Sequence, residues 1–216
     1  LSVVAAMLLT AIGLWGASNS PTHASTVAWA EPRPLGGCSV PSFGEATSYP
    51  AGGNPVSIKI GDFNNDGNPD LAEADYISDE AGVLLGDGNG GFGALSTFPV
   101  GTSPSGIALG DFNLDGKLDI VTANYNSANV SVLLGNGSGG FGAAINYPVL
   151  TDTRSVAVGD FNHDSKPDLA VGNTFSNQVS VLLGNGTGGF GAATNFTAGS
   201  NVDAVAIGDF NHDTNA

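Results

Sequence analysis

One stretch constrains the rest of the chain: Gly-Asp-Phe-Asn-x-Asp-Gly-x-x-Asp, at residues 61–70 and 110–119. It returns at 159–168 with Ser165 in place of the second glycine, and in shortened form at 208–216. The leading aspartates Asp62, Asp111, Asp160 and Asp209 follow one another at a constant step of 49 residues. A fixed step of that size marks an array of one repeated supersecondary unit, each burying its apolar face against the next.

Within each copy, oxygen-bearing side chains occupy positions 1, 3, 5 and 9. They are Asp62, Asn64, Asp66 and Asp70; Asp111, Asn113, Asp115 and Asp119; and Asp160, Asn162, Asp164 and Asp168. The fourth copy contributes Asp209, Asn211 and Asp213. Alternate spacing lets a loop wrap its odd positions around one hard cation, with a main-chain carbonyl at position 7 (Asn68, Lys117, Lys166) completing the shell. The expected ion is Ca2+, about one per complete loop, because calcium accepts six to eight oxygens in flexible geometry. Glycine at position 6 allows the sharp turn, since it takes positive φ without strain. Asp, Asn and Gly also favour plain turns, but a turn does not need oxygens at the same four positions in three copies.

An EF-hand shares these opening residues but requires flanking helices and a bidentate Glu at position 12. Position 12 is Glu73, Thr122 and Val171 in turn, inside segments such as Ile-Val-Thr that read as strand. Glu73 is therefore read as coincidental. Dockerin-like modules and nonapeptide calcium arrays are excluded by the lack of helical pattern and by the step length.

Net charge is −15, from 20 acidic and 5 basic residues, and eleven of the acids are aspartates of the repeated loops. The acidity is mostly a count of ligands, and a nucleic-acid partner is not expected, for want of a basic patch. Residues 1–15 are an apolar run followed by small and polar residues, read as the core of a secretory signal covering 1–30 and already under way at residue 1. The run is short for a membrane span, so no stable span is expected, with a single anchor as the alternative. Residues 31–42 are rich in Pro and Gly and read as a linker; residues 43–216 form the repeat domain, which stops inside the fourth loop. Cys38 is the one cysteine, which excludes an internal disulfide framework.

The repeat phase opens with Phe43-Gly44 and returns as Phe92-Gly93, Phe141-Gly142 and Phe190-Gly191. Each unit holds four strand signals; in the third they cover about 155–159, 168–173, 178–184 and 193–198. The strand entering the loop alternates apolar residues, as in Ile58 and Ile60 or Ile107 and Leu109, and the third strand is apolar enough to be covered on both faces. Four short antiparallel strands per 49 residues predict an all-β fold, a propeller of four-stranded blades. Residues 43–51 read as a leading last strand, whose partner strands would lie beyond Ala216.

Phe-Gly, then Gly-Asp-Phe-Asn-x-Asp-Gly-x-x-Asp-Leu, then a Val-rich strand resembles the FG-GAP and VCBS-type repeats, also found in the head of integrin α chains. The resemblance covers residues 43–216. It implies an extracellular, typically seven-bladed propeller with calcium in its blade loops and ligand recognition by other loops. The Gly-Ala-Pro part of the family signature is missing, which places the chain nearer the secreted VCBS-like variants than integrin. Ser165 at position 6 predicts a weaker third site, since a non-glycine residue in left-handed geometry costs roughly 1–2 kcal/mol. Lys117 and Lys166 at position 7 are expected to be harmless where only the carbonyl coordinates.

The expected function is a secreted calcium-binding module for binding or adhesion, with an extracellular protein or glycan as ligand and calcium mainly structural. An accessory role to a secreted enzyme whose catalytic part lies beyond residue 216 is the alternative, and a plain structural spacer a third reading. No catalytic residue is assigned: of the three histidines, His23 lies in the leader, while His163 and His212 sit at loop position 4. The sequons at Asn129, Asn136, Asn185 and Asn195 bear on function only in a glycosylating host. Tyr125 and Phe175, in loops that differ between copies, could stack on a sugar or could simply pack.

Overall fold

The computed structural model describes residues 44–209, so the leader, the linker, Cys38 and loop residues Asn211 and Asp213 lie outside the described residues. Its compact unit begins at Thr47. Twelve strands form three separate four-stranded antiparallel sheets, each in simple sequential order. The first sheet is β1 (Pro55–Gly61), β2 (Asp70–Asp75), β3 (Glu80–Leu84) and β4 (Ser96–Pro99). The second is β5 (Pro104–Gly110), β6 (Asp119–Asn124), β7 (Asn129–Leu133) and β8 (Ile145–Pro148). The third is β9 (Thr153–Gly159), β10 (Asp168–Asn173), β11 (Gln178–Leu182) and β12 (Thr194–Thr197). These are propeller blades. Neighbours meet through their first strands, β1 against β5 and β5 against β9.

Period-2 alternation decides which residue meets which neighbour. Ile107, Ile120 and Leu133 turn one face of the second blade onto Ala72, Ala74, Ala81 and Val83 of the first. Val121, Ala123, Val130 and Val132 turn the other face onto Val156, Leu169, Val171 and Leu182 of the third. Both faces are dry, which is why β6 is buried along its whole length. Fully burying each such aliphatic side chain is worth roughly 1.5–3 kcal/mol. The neighbour supplies this burial: Ile58 and Ile107 hold the same repeat position, yet Ile58 is 55% exposed and Ile107 2%.

The phenylalanine of each Phe-Gly pair anchors one blade to the next. Phe141 packs edge-on against both Phe63 of the first acidic loop and Phe98 of β4. Phe190 repeats this with Phe112 and Tyr147. Aromatic pairs of this geometry add about 0.5–1.5 kcal/mol beyond area burial.

The strand bounds differ in places from the sequence reading: the first strand of the third blade begins at Thr153, not 155, and the fourth covers Thr194–Thr197. The third strand of the third blade ends at Leu182, not Gly184, because the Gly184 amide is drawn to the Asp168 carboxylate at 2.8 Å. Residues 44–51 form no strand. Tyr49 nevertheless packs edge-on against Phe92 and donates to the Gly90 carbonyl at 3.0 Å. It thus makes a fourth strand's contacts although, among the described residues, no third strand lies beside it.

Candidate functional site

The three described acidic loops join the first strand of each blade to the second, and they fold alike. Asp62 accepts the amides of Asp66 (3.1 Å) and Gly67 (2.9 Å) through its two oxygens. Asn64 Oδ1 also accepts the Asp66 amide, and Asp66 Oδ1 accepts that of Asn68 at 2.8 Å. Asp111, Asn113 and Asp115 repeat the pattern toward Asp115, Gly116 and Lys117. Asp160, Asn162 and Asp164 repeat it toward Asp164, Ser165 and Lys166. Positions 1, 3 and 5 are thus oriented by the turn's own amides.

Position 9 is different. Asp70, Asp119 and Asp168 are fully buried. Each begins a second strand and bridges two distant amides: Phe63 and Gly86, Phe112 and Gly135, Phe161 and Gly184, at 2.7 to 2.9 Å. The carboxylate is a staple between the loop and the hairpin after the third strand. The hairpin glycine is required by close approach, because a Cβ on Gly135 would stand 2.2 Å from the Leu118 carbonyl oxygen. Burial pushes the Asp119 carboxyl up, against the pull of the Gly135 and Phe112 amides, and the charges of Asp115 and Asp111 push the same way.

Position 6 takes positive φ in all three copies, with Gly67 at 83°, Gly116 at 80° and Ser165 at 64°. Position 4 does so too, in residues whose types gave no such signal together: Asn65 at 58°, Leu114 at 58° and His163 at 59°. His163 is exposed. The position-7 lysines are not bystanders. Lys117 Nζ lies 3.4 Å from Asp115, and Lys166 Nζ 2.9 Å from Asp164, while the first loop has neutral Asn68 there. Hydrogen bonding and charge from Lys166 hold the Asp164 carboxyl below its ordinary range. In the first loop the Asn68 amide and the Asn64 side chain hold Asp66 down without a cation.

The donor chemistry fits a hard cation: carboxylates, an amide oxygen and a main-chain carbonyl, all oxygen. Among the described residues no three acidic, histidine or cysteine side chains gather by themselves as a metal centre. A full shell in these loops would have to draw on the Asn side chain and the position-7 carbonyl as well. Glu73, at position 12, stands away from the loop; it is buried in β2 opposite Gly82 and accepts the Gly52 amide at 2.7 Å. Asn136 and Asn185 each cap their own hairpin turns. Phe175 is 65% exposed.

Family models match this architecture in the second and third blades. Residues 111–171 match the FG-GAP-like repeat, and residues 153–194 the FG-GAP repeat. Residues 111–194 carry FG-GAP repeats. Among solved structures, a functionally unknown protein from Desulfotomaculum acetoxidans is similar at TM-score 0.56 and 15% identity, over 73% of this chain and 48% of that one. BBS1N, crystallised in complex with ARL6DN, is similar at TM-score 0.51 and 16% identity, over 72% and 47%. The chain spans about half the length of these matched structures, and at such identities the likeness shows the propeller fold alone. No curated protein sequence matches the chain. Among the described residues, no helix is long and apolar enough to cross a membrane.

Proposed function

We propose that this FG-GAP repeat protein is an exported, calcium-stabilised binding module of the extracellular space, its ligand a protein or glycan. The observation that carries the reading is the threefold recurrence of one acidic loop in one hydrogen-bonded shape, at the same place in each blade. Asp62, Asn64, Asp66 and the Asn68 carbonyl, with their counterparts in the other loops, would hold the ion, beside the buried carboxylate at position 9. Bound calcium supplies the positive charge that three close carboxylates call for, so its binding free energy becomes folding free energy.

The test is a thermal melt of the whole chain with excess calcium and then with EDTA. A rise in Tm with calcium and a fall on chelation are expected. Superimposable melts would remove calcium from the reading. Screening the calcium-loaded protein against immobilised glycans and matrix proteins tests the binding role separately.

A further inference from the structure

The mouth of the hub opposite the acidic loops carries a second site. The loops follow Gly61, Gly110 and Gly159, at the far ends of the first strands. At the near ends, a cavity of about 380 Å³ is lined by Asn54, Val56, Tyr76, Ser105, Tyr125 and Arg154. That volume lies toward the small end of ligand pockets, which run from about 300 to 1,000 Å³. All three blades contribute.

The lining is graded in chemistry. Val56, Ser105 and Arg154 occupy one repeat position in successive units, and no two are alike; the fourth unit has Asp203 there, outside the lining. The acidic loops, by contrast, are near copies of one another. Tyr76 and Tyr125 are likewise equivalent, each directly after a second strand, and their rings lie 6.4 Å apart, tilted by 46°. The Arg154 guanidinium sits 5.6 Å above the Tyr125 ring, which fixes a planar cation beside an aromatic wall. Arg154 Nε pairs with Asp203 at 3.7 Å, with both side chains at least half exposed. An exposed pair of this kind contributes little and is readily exchanged for a better-placed carboxylate.

We propose that this cavity binds a sugar acid, a pyranose ring bearing one carboxylate. The proposal rests on the binding-module reading above and assigns its ligand class and its place. Val56, Tyr76 and Tyr125 would receive the apolar face of the ring, rigid aromatics giving contact area at low entropic cost. Arg154 would take the carboxylate in a two-pronged hydrogen bond. One observation favours a sugar acid over an acidic peptide. The strands at this mouth open on Pro55 and Pro104, which have no amide to offer an incoming strand.

The experiment is calorimetric titration of the calcium-loaded whole chain with digalacturonate, with a neutral galactose disaccharide and with a short aspartate-containing peptide, repeated for Arg154→Gln and Tyr125→Ala. Arg154 is exposed, so an unchanged melting curve certifies the fold of that variant. Digalacturonate binding, weakened about tenfold or more by Arg154→Gln and also by Tyr125→Ala, with no heat from the neutral sugar, is the expected result. Binding of digalacturonate that survives both substitutions overturns the site. Arg154-dependent binding of the peptide alone overturns the ligand class. If none of the three probes binds while the glycan and matrix screen finds another ligand, the sugar-acid proposal fails and the module reading stands; if the screen is blank too, both fall.

Discussion

The amide of Gly188 donates to the carbonyl of Phe112 across 2.8 Å, tying the third blade's hairpin to the second blade's acidic loop. Gly139 and Phe63 make the same bond one blade earlier, at 2.9 Å. The glycine that donates is hemmed in: its φ is +82°, and a Cβ would stand 2.8 Å from Leu134. Gly90 has the same repeat position and a φ of +88°, but nothing lies within 4 Å of its Cβ direction.

That contrast separates backbone strain from blade packing. Gly90→Ala should cost about 1–2 kcal/mol, the strain of a left-handed alanine alone. Gly188→Ala adds a clash at a blade junction and should cost about 3 kcal/mol. Chemical denaturation of both variants measures the difference. Equal losses would mean that Leu134 moves aside freely.

The buried staple gives a second prediction. Asp119→Ala strands the Phe112 and Gly135 amides in a dry site and removes both acceptors at once. Leaving each buried donor unmet costs about 1–3 kcal/mol, so a loss of about 3–5 kcal/mol is expected. Asp119→Asn keeps one acceptor oxygen, and should retain about half of that. Denaturation in EDTA isolates this role from ion binding. If Asp119→Ala were no worse than an exposed loop substitution such as Asp115→Ala under those conditions, the staple would have no structural worth.

How far these features could be read beforehand depends on what carries the signal. The step of 49 residues, the alternation of Ile107 and Leu109 and the apolar run of the third strand report side chains, and they led to blades with strands covered on both faces. The staple was not legible. Its partners are main-chain amides, one of them sixteen residues away on Gly135, and an amide leaves no mark in a sequence except the glycine that lets it approach. Asp70, Asp119 and Asp168 were read as ligands only, although structural bonds engage both oxygens of each. The pairing of Lys117 with Asp115 was missed for a similar reason: it depends on the backbone turn at position 6 between them, where Gly116 takes positive φ. The tyrosines at 76 and 125 lie 49 residues apart in sequence, and only the curvature of successive blades sets their rings together.

Acid should weaken the fold through Asp75. Burial opposes its ionisation, but hydrogen bonds from the amides of Asn54, Ser78 and Ile77 and from the Ser78 hydroxyl outweigh that and hold the carboxyl below the ordinary aspartate range. The Gly53 amide also donates to it. A depressed folded pKa contributes stability that is present above the unfolded pKa and is lost as the pH falls through the folded value. Asp119 works the other way. Its raised carboxyl favours the fold below the unfolded pKa and withdraws that contribution as the pH rises through the folded value. Denaturation in EDTA from pH 6 down to pH 2.5 should therefore show a loss in the wild type at the acid end that Asp75→Asn makes shallower. An identical acid slope in the variant would assign the loss to other carboxylates.

Strain in the second and third loops can be relieved without touching a donor. Ser165 (φ 64°) and Leu114 (φ 58°) are both exposed and both left-handed, where their counterparts Gly67 and Asn65 are residue types suited to that region. Left-handed geometry costs an ordinary residue roughly 1–2 kcal/mol, and the extra unfolded-state freedom of glycine returns part of it. Ser165→Gly and Leu114→Asn should therefore each stabilise the apo protein by about 0.5–1 kcal/mol. In calcium titrations Ser165→Gly should also tighten the third loop, because a relaxed turn presents Asp160, Asn162 and Asp164 without the strain that now opposes their alignment. By the same reasoning Asp111→Ala should cut the calcium-induced rise in Tm more than Asp160→Ala does in the wild type, and the two should become equal on a Ser165→Gly background. If Ser165→Gly destabilises the apo protein instead, the serine hydroxyl contributes more to the turn than its backbone conformation costs.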